Sequence, residues 1–452
     1  MQFSFFSKFA NKKFFLFLIT LSLCSILRLY DLFEPYGRTI LSAGSTSFWH
    51  IAGENFLNYG FWQTWLTPHI STGLYEEPLS YYNHPPLTGW ILGLLFLVFG
   101  ASSVPVKLLG FFSWLFVSFL IFQICKKRSL RFAYYSSLVS ILLPFTNLFS
   151  NTIDCIGGPF IVIFIALLFY SLESRWNYLS ISIVIFLGAL TEWTFAFMLL
   201  GCLMFPRYKS YRKVILISSL LVYLAIIYWF LTNSFMSHSG FTFTEKLKLN
   251  HPILLIQHIE KFGLFSVVKL FTDKQSINNH VSLPSELNLW KWFSRVFVTY
   301  IGTWFTPIFY FASFKYFVSK QKQYLPLLAP PLFMLILFPY GAYKHLFWVC
   351  SLVPFASLVI GKYIMSYSKK LKILCILIIV SFSLGFTIHT KEKDHEKLFQ
   401  VFGTKIKNQS ISTELIVASN PSKTASKNMD RLLLGLYSQR SIHLKEKTFI
   451  VN

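Results

Sequence analysis

The sequence predicts an all-α membrane protein that crosses the bilayer many times, on three observations. Hydrophobic residues make up 54% of the 452 and charged ones only 13%. A soluble fold of that composition lacks the polar side chains to cover its surface, whereas a bilayer solvates apolar surface. Apolar runs near the ~20 residues that span a ~30 Å hydrocarbon core recur along the chain, enough for about 11 to 13 spanning helices. The basic excess, a formal net charge of +23, is concentrated in short connections between those runs. That distribution orients membrane helices and is not that of a nucleic-acid binder.

The first span is 14–29, preceded by Lys8, Lys12 and Lys13, which places its N-terminus in the cytoplasm. No small-residue cleavage pattern stands near Arg28, so the segment is expected to be a retained helix rather than a removed signal. A long outer loop, 30–86, follows. Within it 48–61 is expected to lie as an interfacial helix with Phe48, Ile51, Ala52 and Phe56 on its apolar side. The loop ends in Tyr81-Tyr82-Asn83-His84-Pro85-Pro86. The paired prolines lack backbone N–H groups and suit the start of the next helix, Leu87–Phe99.

Spans are then expected at 104–125, 132–150 and 159–172. A basic turn with Lys126, Lys127, Arg128 and Arg131 separates the first two, and the Asn151–Asp154 turn separates the second from the third. The run 178–205 is too long for one crossing and is interrupted by Thr191-Glu192, so two short helices should meet there. After Arg207, Lys209, Arg212 and Lys213 comes a span at 214–231. A second long outer loop, 232–292, carries His238, His251, His258 and His280. Four more spans follow at 293–314, 324–339, 346–361 and 371–388. The membrane domain therefore runs over 1–389. Residues 390–452, with a strand-like 415–418 and a helix-like 431–437, form a small soluble extracytoplasmic α/β appendage.

Placing every Lys/Arg-rich turn in the cytoplasm gives consistent alternation if Leu87–Phe99, short for a crossing, does not span fully. The outer face then collects both long loops, Asp154, Glu192, Lys344-His345 and the appendage. Five cysteines lie in or at the ends of apolar runs and Cys155 follows a short polar turn; none has a zinc or redox spacing, so they are packing residues. His251 and His258 stand two helical turns apart, too distant to share a metal easily. No metal and no cofactor is expected.

Polar groups at membrane depth need a partner or a water-filled cavity. Glu192, flanked by Leu190, Trp193 and Phe195, is either such a group or a helix-end carboxylate exposed to water. Asp154 is either a site carboxylate or a helix cap beside Asn151 and Thr152, the more frequent role for Asp at a turn. Lys344 and His345 are either snorkelling anchors or the cations a lipid phosphate requires at that depth.

Several segments together resemble a known family. These are Ile51–Leu57 with Gly60, then Tyr82-Asn83-His84-Pro85-Pro86-Leu87, Leu97-Val98-Phe99-Gly100, and Tyr343-Lys344-His345-Leu346-Phe347-Trp348 with Val353-Pro354-Phe355 and Gly361. They resemble the GT-C glycosyltransferases, in the branch of the protein O-mannosyltransferases and bacterial aminoarabinose lipid A transferases. The resemblance covers most of 14–390. It implies a many-helix fold with its active site on the outer leaflet side. It also implies a sugar donor linked to polyprenyl phosphate and inverting transfer to an acceptor hydroxyl of an envelope glycolipid, polysaccharide or protein. A carboxylate would take the acceptor proton and cations would stabilise the leaving lipid phosphate.

One departure stands out. The family carries an acidic residue, often Asp-Glu, just before the interfacial helix, where this chain has Ala43-Gly44-Ser45-Thr46-Ser47. Serine and threonine are too weakly acidic to serve as the base unaided. The candidate catalytic carboxylates are therefore Glu54, Asp154, Glu76 and Glu77. The candidate substrate-binding residues are His50, Tyr82, Asn83, His84, Glu192, Lys344 and His345. A bacterial inner membrane with the site facing the periplasm suits the chain. The rival expectations are a non-catalytic relative that binds a glycan lipid, which the missing acidic pair suggests, and a transporter or flippase of a lipid-linked glycan. A transporter should show two similar halves and midplane polar sites; the sequence shows no internal repeat.

Overall fold

The computed structural model describes residues 32, 40–62, 64, 66–69, 84–150, 152–154, 158–237, 289–319, 322–344, 346–389, 415–419 and 441–445. The predicted first span at 14–29, the loop histidines, Cys24, Cys155 and the helix-like 431–437 lie outside them.

The principal helices are α1 (Ile40–Tyr59), α2 (Leu87–Phe99), α3 (Ser103–Lys126), α4 (Leu130–Leu142), α5 (Pro159–Glu173), α6 (Tyr178–Thr191) and α7 (Phe195–Met204). They continue with α8 (Arg212–Ser237), α9 (Pro307–Val318), α10 (Ala329–Leu337), α11 (Val353–Met365) and α12 (Lys369–His389). Among the described residues three helical stretches are long and apolar enough to cross a membrane, Ser103–Lys126, Pro206–Phe230 and Trp348–Met365. The bent pair around α9 makes up to four. Shorter apolar helices, α2, α5, α6 and α7 among them, pack between these. The chain is an integral membrane protein.

The predicted elements recur with instructive differences. The helix expected at 48–61 begins at Ile40 and buries Trp49, Ile51, Ala52 and Phe56 against α2. The span expected at 132–150 stops at Leu142 and restarts as the short Pro144–Leu148 helix, because Pro144 cannot donate the next helical hydrogen bond. The run expected at 293–314 bends by 96° between Trp304 and Pro307. There Thr306 takes a left-handed φ of 66° ahead of a proline. A π-helix, Ser294–Ile301, precedes the bend. The interruption at Thr191-Glu192 is present, with Glu192 extended between α6 and α7.

Without a hydrophobic driving force between helices in lipid, close approach depends on small residues. The α4–α11 contact has this character. A Cβ on Gly361 would lie 2.5 Å from the Ser136 Cα and 2.7 Å from its backbone nitrogen. Nearby, Ser140 and Ser137 donate to the Ser118 hydroxyl and carbonyl at 2.6 and 2.8 Å, tying α4 to α3. The described cysteines, Cys125, Cys202, Cys350 and Cys375, are buried free thiols, as packing residues should be. In the C-terminal region β1 (Leu415–Ser419) and β2 (Ser441–Lys445) pair in parallel.

The helix ends sort by charge. Glu54, Asp154, Glu173 and Glu192 are the acidic residues among those described. Asp154 and Glu192 mark one end of the bundle, where α5 begins and α6 stops. The far ends of α3, α9 and α11 carry Lys126, Lys127, Arg128, Lys315 and Lys362. Glu173, the carboxylate at that basic end, is occupied by Arg207 at 2.7 Å and the Tyr208 hydroxyl at 2.9 Å.

Candidate functional site

The site is assembled from three chain breaks and one helix. Helix α1 contributes Trp49, which is 1% exposed and donates its indole N–H to Asp154 Oδ1 at 3.3 Å. One turn away Thr46 accepts the backbone N–H of Ile153 at 3.3 Å. The Ala43–Ser47 window thus docks on the turn that carries Asp154. That turn is anchored from below, where Trp114 of α3 donates to the Phe149 carbonyl at 2.9 Å and Trp304 packs edge-on to the Phe149 ring. Its exit is tight. A Cβ on Gly158, the residue before α5, would lie 2.1 Å from the Asp154 carbonyl oxygen. Asp154 is buried and its carboxylate faces Trp49. The capping role weighed for it is not seen, since the residue flanking α5 is Gly158 and no side chain caps that helix.

The second carboxylate, Glu192, is 1% exposed between α6 and α7. Of the two readings open for it, water exposure is excluded. Its Oε2 lies 2.8 Å from His84 Nδ1, on the residue ahead of the proline pair that starts α2. The His84 side chain is 21% exposed. Burial works against the imidazolium, but the charge and hydrogen bond of Glu192 and the charge of Asp154 outweigh it and raise the His84 pKa above its usual 6.5. Asp154 and Glu192 therefore act on one imidazole. Cys350, just before α11, and Tyr223 of α8 are also near enough to feel these charges, Cys350 from both carboxylates and Tyr223 from Glu192.

His50, next to Trp49, is buried with its ring 4.6 Å from that of Phe96. Burial pulls its pKa down to about 3, which keeps it neutral. Glu54 lies one turn further along α1 and is half-buried. Next to it, Asn55 donates to the His69 carbonyl at 2.9 Å, folding the start of the loop back on the helix. Asn233 of α8 donates to Thr67 at 3.1 Å.

Of the residues singled out in the sequence, the structure brings His84, Asp154 and Glu192 together, with His50 and Glu54 on the adjoining helix. Glu76, Glu77, Tyr82, Asn83 and His345 lie outside the described residues. Lys344 ends a short helix, Pro339–Lys344. Sequence reasoning passed over Trp49 and Lys107. Lys107 is fully buried in the first turns of α3, two turns before Trp114 on the same face. A lysine inside the apolar run Val104–Gly110 was itself a signal, because a buried ammonium is costly at membrane depth. Among the described residues no group of three or more His, Cys, Asp or Glu is arranged to hold a metal ion.

The sequence matches no protein-family model and no curated relative. The fold does have solved counterparts. ArnT from Cupriavidus metallidurans bound to undecaprenyl phosphate superposes with a TM-score of 0.63 at 10% identity, covering 96% of this chain and 86% of that one. The apo form of the same protein gives a TM-score of 0.59 at 11% identity over the same shares. The chain shares the fold of these ArnT structures, as the resemblance implied.

Proposed function

We propose that the protein is a membrane glycosyltransferase that moves a sugar from a polyprenyl-phosphate-linked donor to a hydroxyl of an envelope glycolipid, polysaccharide or protein. The observation that carries this reading is the meeting of Asp154, Glu192 and His84 at the acidic end of a GT-C fold. The solved ArnT with undecaprenyl phosphate bound supports a polyprenyl phosphate as partner. Bias of Lys and Arg toward the cytoplasm supports a periplasm-facing site in a bacterial inner membrane. Residues 390–452 are proposed to form the separate soluble appendage.

In this reading the acceptor oxygen attacks the anomeric carbon from the face opposite the phosphate. The carbon–oxygen bond to the phosphate breaks, and the lipid phosphate leaves with the electron pair. The proton lost by the acceptor goes to a carboxylate, and Asp154 is the best placed. It is held by Trp49 and lies against the Ala43–Ser47 window, where the family resembled has its acidic residue. The His84 imidazolium, kept charged by Glu192, offsets the charge that develops on the leaving phosphate. Lys107 adds positive charge at that end, and Lys344, His345, Tyr82 and Asn83 are proposed to line the donor's headgroup. His50, neutral and buried, shapes the wall. Glu54, Glu76 and Glu77 remain secondary candidates for the base.

The missing carboxylate at Ala43–Ser47 favours one second reading, a non-catalytic relative that binds a glycan lipid. One experiment separates the two. The purified full chain in nanodiscs is given radiolabelled polyprenyl-phosphate sugar and a cell-envelope extract. The enzyme reading expects transfer by the parent and a loss of about 10²- to 10⁴-fold in Asp154→Asn, with donor binding retained. Donor binding without turnover in the parent supports the second reading. Absence of both transfer and binding refutes both.

A further inference from the structure

At the basic end, away from Asp154 and Glu192, the last turns of α9 and α11 enclose a cavity of about 190 Å³. Helix α9 lines it with Ala312, Lys315 and Ser319, and α11 with Val359, Lys362 and Ser366. The spacing in each set is that of one helix face. None of the lining residues is acidic. Lys315 reaches across the mouth to Ser366 Oγ at 3.1 Å, with its ammonium 5.3 Å from the ring centres of both Tyr363 and Tyr367. Arg128 stands near enough to Lys362 for the two charges to repel, and its own hydrogen bond goes to the neutral Tyr324 hydroxyl at 2.9 Å.

Cations gathered around a cavity without a carboxylate in its wall call for an anion. The outer side of the same helix end indicates which kind. Phe314, Phe317 and Val318 are exposed large apolar side chains on a helix of a membrane protein, so the mouth opens where hydrocarbon gives way to headgroups. We infer that this cavity binds the phosphate headgroup of an anionic phospholipid in the leaflet at the basic end of the bundle. The ammonium groups of Lys315 and Lys362 hold the phosphate oxygens, and the acyl chains run down the phenylalanine face of α9. The inference rests on the chain spanning a membrane and is independent of sugar transfer.

The full chain is reconstituted in nanodiscs of phosphatidylcholine with phosphatidylglycerol, and the lipid that survives detergent extraction is identified by native mass spectrometry. The parent is expected to retain phosphatidylglycerol in preference to phosphatidylcholine. Each lysine beside an anionic headgroup is worth roughly a fivefold factor, so Lys315→Gln with Lys362→Gln should weaken the preference about 30-fold. Ser366→Trp keeps both lysines, fills the mouth at an exposed position and should abolish the preference even if the double variant does not fold. Lys369→Gln, at the same end outside the cavity, should leave it unchanged. Equal retention by the parent and Ser366→Trp overturns the inference, as does an equal loss in Lys369→Gln. Displacement of the lipid by inorganic phosphate assigns the cavity to a soluble anion and overturns it as well.

Discussion

Removing either partner of the His84–Glu192 pair should have unequal consequences. In the native pair the charges are 2.8 Å apart, and the carboxylate is 2% and the imidazole 21% exposed at the side chain. His84→Ala leaves a buried carboxylate with its counter-charge removed, the situation in which a broken pair costs about 3–5 kcal/mol. Glu192→Gln leaves a neutral acceptor for a His that is partly hydrated and can shed its proton, so the loss is that of charge assistance, about 1–2 kcal/mol. The assay is denaturant or thermal unfolding of nanodisc-embedded protein at neutral pH. His84→Ala should be the more damaging of the two, by about 2 kcal/mol. Equal losses in His84→Ala and Glu192→Gln would refute the pairing of a buried Glu192 with a charged His84.

In the parent the raised His84 pKa means that its contribution to stability is complete below about pH 6.5 and declines as pH rises through the folded-state value. A melting-temperature series from acidic to alkaline pH should show that decline, and His84→Gln should remove it. Trp49→Phe keeps one aromatic ring in the buried site and deletes the N–H donated to Asp154; loss of the long 3.3 Å bond is expected to cost about 1–2 kcal/mol, read by unfolding, with a larger relative loss in transfer rate. Gly158→Ala should displace the Asp154 carbonyl, because the added carbon falls at 2.1 Å, and should depress turnover more than it depresses the melting temperature. Gly361→Val should separate α4 from α11 and lower stability by at least about 1–3 kcal/mol, checked by the same unfolding measurement.

The sequence by itself determined the class, the helix order and one half of the site. Composition and run length specify a membrane solvent, since no other environment tolerates such an exterior. The breaks at Pro85-Pro86 and Thr191-Glu192 were legible because proline and charge interrupt an apolar run locally, whereas the break at Pro144 fell inside the span expected at 132–150. Asp154 and Glu192 were visible as carboxylates in an apolar context. Tertiary structure alone decided that they share an imidazole, that Trp49 holds one of them, and that the Ala43–Ser47 window lies against the Asp154 turn. Trp49 and Asp154 are 105 positions apart, and His84 and Glu192 are 108 apart. Helix periodicity reports which face of a segment is apolar, but in a chain apolar on nearly every face it carries no information about which helices meet. Their meeting is set by close contacts such as Gly361 on Ser136, and those exist only once the bundle has formed.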